Sequence, residues 1–430
     1  MRLFPRRHPH PRRWTEIFTG VEAASVNPPT GVIACPDCGA VQALRSPGGH
    51  VIARCFRCRG ILERTAGRSL DAAAACALAV FALLFPANIL PLMRVSVAGA
   101  TTRTRIISGV FGFWHQGWPV VALVVGFEVV VIPFLRFGLL VVVLGALRAG
   151  FQAPWMGPVF RWSQYLDEWA MPDVFLFGAV IGYARVAPFL PVTIDPGGYC
   201  FIAVAILTLM TRAALERRAV WRRIAAPAAR TQPDMIGCTA CDLAVPGALE
   251  GTPCPRCRLR LWRLKPRAYA RTIALTLAAV ALYPIAYTYP METSDRISSL
   301  HPYSILTGVR KLLHAHLWLF AAIVFTASVL IPFTKLLLLS WFTVSIHMRS
   351  TRHIPLKTRL YRAIVGIGRW SHIDVFTVAV FLPLMHLPGF LRVIAGRALP
   401  AYLAVVVLTM LATDSFDPRA LWFAAQSRHE

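Results

Sequence analysis

Acidic residues are scarce in this chain: 20 Asp and Glu stand against 45 Lys and Arg in 430 residues, a formal net charge of +25. Charged residues of both signs make up only 15%, where globular proteins average roughly 25%. Lysine is the rarest cation, with four copies. Catalytic signatures are also missing. There is no Walker A loop and no Gly-Lys dipeptide, no H-E-x-x-H and no G-x-S-x-G. ATP hydrolysis is therefore disfavoured and the chain is not expected to be an enzyme. The first 14 residues, MRLFPRRHPHPRRW, have no apolar stretch behind them, so no cleavable signal peptide is expected.

What the chain has instead is apolar length. Hydrophobic residues make up 56%, and they cluster. VVALVVGFEVVVIPFLRFGLLVVVLGAL (120–147) and LWLFAAIVFTASVLIPFTKLLLLSWFTVSI (317–346) exceed the ~20 residues that cross a bilayer. Eight spans are expected, at about 72–93, 120–147, 174–192, 197–213, 272–291, 317–346, 375–391 and 396–413. With the N-terminus cytoplasmic, 33 Lys and Arg fall on the cytoplasmic side, 7 on the other and five within spans. That asymmetry follows the positive-inside rule. The basic balance thus reads as topology and attraction to anionic headgroups rather than as a nucleic-acid surface.

The chain is a duplication. IPFLR (132–136) returns as IPFTK (331–335), 199 residues on. WAMPDVF (169–175) returns as WSHIDVF (370–376), and LTLMTRAALERRAVW (207–221) as LTMLATDSFDPRALW (408–422), both 201 residues on. Cys35 and Cys238 differ by 203. The expected fold is an all-α polytopic membrane protein, a tandem repeat of a four-helix transmembrane unit, each copy preceded by a small four-cysteine ribbon. An even number of spans per copy makes the repeat parallel rather than inverted. The expected division is a basic tail (1–30), ribbon 1 (31–66), transmembrane domain 1 (67–216), a linker (217–233), ribbon 2 (234–265), transmembrane domain 2 (266–423) and a short tail (424–430). Residues 349–360 read as a cytoplasmic loop.

Eight of the ten cysteines form two quartets, Cys35, Cys38, Cys55, Cys58 and Cys238, Cys241, Cys254, Cys257. Paired Cys-x-x-Cys knuckles at this spacing suit a tetrahedral structural Zn2+. So short a segment buries too little surface to fold alone, and the metal supplies its folding energy. Gly39 and Gly60 sit where the knuckles must turn. Disulfides are disfavoured in a reducing cytoplasm, and a redox pair lacks its βαβ setting. Closed thiolate sites leave no open position for catalysis. Nucleic-acid binding is the rival role, but Phe56 and Trp262 are the only aromatics in or beside the ribbons, thin for base stacking. Cys76 and Cys200, in apolar surroundings, read as inert.

Ionisable residues inside spans are costly and default to function. Lys335 and its repeat partner Arg136 each lie three residues after a proline, Pro332 and Pro133, where a lost backbone hydrogen bond can kink the helix. Ser328 lies two turns before Lys335 on the same face. The plainer alternative is that both cations snorkel to headgroups. Asp173 and Asp374 open the third span of each copy, where the helix dipole favours them; they could also form a carboxylate cluster with Arg136 or Lys335. Glu128 lies too badly angled to pair with Arg136, and its partner is not apparent.

Two ribbons, each leading a four-helix unit, and the ending SFDPRALW (415–422) give a sequence that resembles the paraquat-inducible protein A family. The resemblance runs from about Cys35 to Trp422. In the first copy LERRAVW replaces the FDPRALW form and Pro172 precedes Asp173, so the second copy is closer to the family pattern. The resemblance implies a bacterial inner-membrane protein that passes phospholipid between the inner membrane and a periplasmic tunnel built by an MCE-domain partner. A pocket of Ser328, Lys335, Ser371 and Asp374, with Arg136 and Asp173 as first-copy counterparts, would take the headgroup, Lys335 meeting the phosphate. The alternatives are an ion- or proton-coupled small-molecule transporter, and a membrane-tethered regulator whose ribbons bind nucleic acid.

Overall fold

The computed structural model describes residues 31–44, 52–64, 69–97, 100–187, 190–225, 232, 234–296, 299–384 and 391–426. The basic tail, seven of the 17 linker residues and the last four residues therefore lie outside the described residues. Ribbon 1 is two antiparallel pairs, β1 (Gly31–Ala34) with β2 (Val41–Leu44) and β3 (Ile52–Arg54) with β4 (Ile61–Arg64). Helix α1 (Leu70–Ile89) starts where the Ser69 hydroxyl accepts the Ala72 amide at 3.3 Å, an N-cap with Asp71 in the first turn. At the far end of α1, β5 (Met93–Val97) and β6 (Ala100–Thr104) form a hairpin. A short helix α2 (Ile106–His115) leads into α3 (Pro119–Gly126), a π-helical turn (Phe127–Val131) and α4 (Ile132–Arg148), which run on as one helix of 30 residues.

Next come α5 (Met156–Trp169), with one apolar face, and α6 (Pro172–Val186). Strand β7 (Val192–Ile194) joins β5 to complete a three-stranded sheet, and α7 (Pro196–Ala214) and α8 (Arg217–Ile224) return the chain to the ribbon end. Arg94 on β5 pairs with Asp195, just ahead of α7, and ties sheet to helix. The second copy repeats the plan. Ribbon 2 carries β8 (Met235–Gly237) and β9 (Ala244–Pro246). Then follow α9 (Ala268–Thr288), β10 (Glu292–Arg296), β11 (Ser299–Tyr303), α10 (Ile305–His314), α11 (Trp318–Phe325), a π turn (Thr326–Leu330), α12 (Ile331–His347), α13 (Ile354–Ile367), α14 (Ile373–Leu384), β12 (Leu391–Ala395), α15 (Ala398–Ser415) and α16 (Arg419–Gln426). Its sheet has the matching order, β11-β10-β12.

Among the described residues seven helical runs are long and apolar enough to cross a membrane: 70–89, 119–148, 196–214, 268–288, 318–347, 354–380 and 398–415. Two sequence expectations are corrected. The span expected at 174–192 is helical only to Val186, and β7 takes 192–194. Fifteen residues at 1.5 Å per residue cover about 22 Å, short of a ~30 Å hydrocarbon core. The loop expected at 349–360 is largely helix, because α13 begins at Ile354. The kinks expected at Pro133 and Pro332 take the form of a π turn directly before each proline, which absorbs the missing hydrogen bond by widening the helix.

The copies interlock rather than stand side by side. Gly178 on α6 lies so close to α14 that a Cβ there would meet the Phe376 Cβ at 2.9 Å. At Gly109 on α2 it would meet the Ala379 carbonyl oxygen at 2.3 Å. Small residues admit such backbone approach between apolar helices. At the sheet end, Gln116 brackets β12, its amide donating to the Val393 carbonyl at 3.1 Å and accepting from the Ala395 amide at 2.7 Å.

The ribbons cross over. A ribbon capping its own four helices would be the simplest repeat, yet the knuckles of ribbon 1 sit on the second copy. Arg362 on α13 pairs with Asp37 at 2.7 Å and donates to the Cys58 carbonyl at 3.1 Å, and Arg57 lies over the Trp422 ring of α16. Ribbon 2 sits on the first copy. Arg161 on α5 donates to the Cys257 carbonyl at 2.9 Å, and Arg218 on α8 pairs with Asp242 at 3.1 Å. Arg161 and Arg362 are 201 residues apart, the repeat offset, and each binds the carbonyl of the last cysteine in the other copy's ribbon. The ribbons also meet each other, through an antiparallel bridge from Ile33 to Leu243.

Candidate functional site

Each quartet closes into a buried cage. Sγ–Sγ separations are 3.5 Å for Cys35–Cys58, 3.6 Å for Cys38–Cys55, 3.5 Å for Cys238–Cys257 and 3.7 Å for Cys241–Cys254. Within each quartet all four sulfurs lie within 4.8 Å of one another. A disulfide would need about 2.05 Å. Four thiolates at about 2.3 Å from a central ion, set tetrahedrally, stand about 3.8 Å apart. The cages therefore fit a metal ion. Backbone hydrogen bonds shape each knuckle, such as the Cys55 amide to the Gly60 carbonyl at 2.8 Å and the Arg59 amide to the Cys55 carbonyl at 2.9 Å. The residue after the second cysteine takes a left-handed backbone: Gly39, Arg59, Asp242 and Arg258, with φ of 71°, 56°, 57° and 58°. Gly60, expected to turn a knuckle, serves otherwise. A Cβ there would meet Asp37 Oδ2 at 2.8 Å and Arg362 Nη2 at 3.1 Å, so it clears room for the docking pair.

The polar residues of the first copy form a closed charge network. Arg136 on α4 pairs with Asp167 on α5 at 2.5 Å; Arg212 on α7 reaches Asp167 at 2.9 Å and Asp173 on α6 at 2.7 Å. Arg217 adds a fourth contact, to Asp167 at 3.1 Å. Burial works against the charge on Asp167, but Arg136, Arg212 and Arg217 outweigh it and hold the carboxyl well below the usual carboxylate range. The sequence expectation placed Arg136 and Asp173 in a ligand pocket with a direct contact open between them. Here Arg212 stands between the two, and the group is committed to itself.

The second copy keeps the frame and one carboxylate, Asp374 in place of Asp173, and loses the other. At the repeat offset of 201 residues, Gly368 stands for Asp167 and Thr413 for Arg212. Lys335, 1% exposed, donates to the Gly368 carbonyl at 3.0 Å and forms no ion pair among the described residues. Ser328 and Ser371 are wholly buried and Asp374 is 5% exposed. The Tyr402 hydroxyl donates to the Ser371 carbonyl at 2.9 Å, and Tyr287 to the Ser328 carbonyl. Among the described residues the Ser371 hydroxyl has no hydrogen-bond partner. Ser328 belongs to the π turn, Lys335 to α12, and Ser371 to the 3-10 turn 368–372 that leads into α14. Sequence reasoning missed Tyr287 and Tyr402, which look like ordinary membrane aromatics until the fold brings them here. It also missed the partner of Glu128, His372 of the other copy, with Nε2 and Oε1 3.1 Å apart and both side chains buried.

A helical, multi-pass membrane protein built as a tandem repeat, with one cysteine cage ahead of each helical unit, is the class these features define. The family model described as Paraquat-inducible protein A matches residues 70–225 and 269–426, one segment per copy. The chain belongs to that family. It is similar to the Lipophilic envelope-spanning tunnel protein A of Escherichia coli (strain K12), 27% identical over 395 residues covering 91% of each chain. It is also similar to the Intermembrane transport protein PqiA of the same strain, 25% identical over 93% of this chain and 97% of that one. A Probable intermembrane transport protein of Haemophilus influenzae is 24% identical over 92% and 97%. No solved structure matches the chain.

Proposed function

We propose that this chain is the inner-membrane component of an intermembrane lipid transport system, moving phospholipid between its bilayer and a periplasmic MCE-domain partner, and that the second copy carries the lipid site. It transports its ligand and does not transform it. The observation that carries this reading is Lys335. A buried cation with one neutral hydrogen bond is expensive, and a lipid phosphate would neutralise it. In this reading Ser371, three residues after the Gly368 carbonyl that holds Lys335, and Ser328, on the π turn before α12, would supply hydroxyls to phosphate oxygens. The names of the relatives, which speak of intermembrane transport, point the same way. In this reading the cages hold structural Zn2+, and the ribbons and both termini are cytoplasmic, as the loop charges ask.

The test is lipid carried through purification. Lys335→Ala should strip co-purifying phospholipid, read by mass spectrometry, and weaken the envelope barrier in cells; an unchanged lipid complement would reject the site. Zinc quantification should return two equivalents per chain. The Glu128–His372 contact, a titratable pair buried between copies, favours a second reading, an ion- or proton-coupled small-molecule transporter. Proton-driven solute flux in liposomes by the purified protein would establish that one instead.

A further inference from the structure

At the ribbon end of the seam between the copies lies an open cleft of about 250 Å³. The first copy contributes Asp167, Glu168 and Arg217; the second contributes Lys335, Arg369 and Asp414, with Ile364, Val365, Gly366 and Met410 as apolar lining. Its volume suits a headgroup and is too small for a whole lipid, since drug-sized ligands take ≈ 300–1,000 Å³. Three cations and three carboxylates face one another, but they are not equally committed. Asp167 and Arg217 are spent on each other and on the first-copy network. Glu168, Asp414 and Arg369 form no ion pair among the described residues, and Lys335 has only its carbonyl. The uncommitted set is thus two cations and two carboxylates. Val365 on α13 lines the cleft and is 40% exposed, an apolar edge beside a charged interior. A cluster of one sign would suit a simple ion. Both signs around one cleft with a greasy lip suit a group that is itself a dipole with chains attached.

We infer that this cleft selects a zwitterionic headgroup bearing a primary ammonium, the phosphate lying toward Lys335 and Arg369 and the ammonium toward Glu168 and Asp414. The inference rests on the lipid reading above and narrows its substrate class to aminophospholipids such as phosphatidylethanolamine. A primary ammonium offers three N–H donors to carboxylates; a glycerol headgroup offers no charge there and would leave the carboxylates with only the neighbouring Arg217 and Lys265 cations. The cation pair alone would accept any phospholipid, so discrimination belongs to Glu168 and Asp414.

The experiment offers the full-length protein in detergent an equimolar mixture of phosphatidylethanolamine and phosphatidylglycerol and reads the bound ratio by native mass spectrometry. The wild type should favour phosphatidylethanolamine by about tenfold, the change that one charge-assisted contact of about 1.4 kcal/mol makes. Glu168→Gln with Asp414→Asn should bring the ratio near one. Gly366→Trp, at a position where a Cβ meets open space, should fill the cleft and lower total lipid without disturbing the fold. Free phosphoethanolamine, titrated as competitor, separates a lipid site from one for the soluble headgroup. It should displace lipid only at large excess, and displacement at equimolar competitor would overturn the lipid assignment of the cleft. If Lys335→Ala loses lipid but the double variant keeps the tenfold preference, the headgroup inference fails and the lipid reading stands. If Lys335→Ala keeps its lipid, both fail.

Discussion

Arg362→Ala tests the crossed ribbons. The substitution lies in the second copy, 304 residues from Cys58 along the chain, yet the structure makes it a lesion of the first ribbon. It removes the 2.7 Å pair with Asp37 and the 3.1 Å bond to the Cys58 carbonyl. Hydrogen bonds to charged groups contribute about 1.5–3 kcal/mol. The side chains of Arg362 and Asp37 are 30% and 18% exposed, so solvent screening brings the expected loss down to about 1–2 kcal/mol. Undocking of ribbon 1 should then become about 5–30 times more frequent. Arg161→Ala is the mirror lesion. It removes one 2.9 Å bond to the Cys257 carbonyl and should cost ribbon 2 about 1 kcal/mol. Pulse alkylation in the presence of a chelator, followed by peptide mass mapping, reads each quartet separately. Arg362→Ala should speed labelling of Cys35, Cys38, Cys55 and Cys58 and leave the other quartet at its wild-type rate; Arg161→Ala should do the reverse. Equal labelling of both quartets in either variant, or a faster Cys238 quartet in Arg362→Ala, would refute the crossing.

Asp167→Asn should cost about 3–5 kcal/mol, because it leaves the buried Arg136 without its counterion; the melting temperature in detergent should fall, and adding Arg136→Gln should recover part of the loss. The same carboxylate gives a pH signature. Its folded-state value is depressed, so its contribution is present above the unfolded value of about 3.9 and disappears as the pH falls below it. Stability from this network should hold constant from pH 8 to 5 and fall below pH 4 in the wild type, with the fall much reduced in Asp167→Asn. Gly157→Ala should undock ribbon 2, since the added Cβ would lie 1.9 Å from the Arg256 carbonyl oxygen; faster alkylation of Cys254 and Cys257 reads it. Gly145→Ala, where nothing lies within 4 Å, is the control and should be neutral or slightly stabilising.

The long apolar helices and the quartets were legible because each writes a local signal: unbroken hydropathy in one case, paired cysteines at fixed spacing in the other. The duplication was legible because three motifs recur at nearly one offset. The three-stranded sheets were not. ETSDR and SLHPY carry neither the alternation nor the β-branched run that marks a strand, and β10 is held by pairing with both β11 and β12. Among the candidate residues, Lys335 and Asp374 stood out as charges among apolar residues. Tyr402 did not, because a tyrosine in a membrane helix is ordinary until its hydroxyl is seen at the Ser371 carbonyl. The crossing was illegible in principle, since a repeat has the same sequence whether each ribbon caps its own copy or the other.

The asymmetry between the copies turns on two changes at equivalent positions, Asp167 against Gly368 and Arg212 against Thr413, and the first is the larger. Asp167 in the first copy and Gly368 in the second lie at the same point before the third helix. With the carboxylate present, a buried cation on the preceding long helix is neutralised, and a second arginine can join. With glycine, that cation has only a carbonyl. Glycine brings a further consequence, since a Cβ at Gly368 would lie 2.7 Å from Lys335 Cε and 2.8 Å from Nζ. Any larger residue there would displace the amine, so the position that removes the counterion is also the one that admits Lys335. A network tied by several ion pairs across α4, α5, α6 and α7 favours a fixed arrangement, whereas a cation left without a counterion favours whatever supplies the missing charge. On this reasoning the first copy supplies the rigid body against which the second copy works. Restoring the carboxylate, with Gly368→Asp in the second copy, should therefore abolish lipid binding while leaving both cysteine cages metal-loaded.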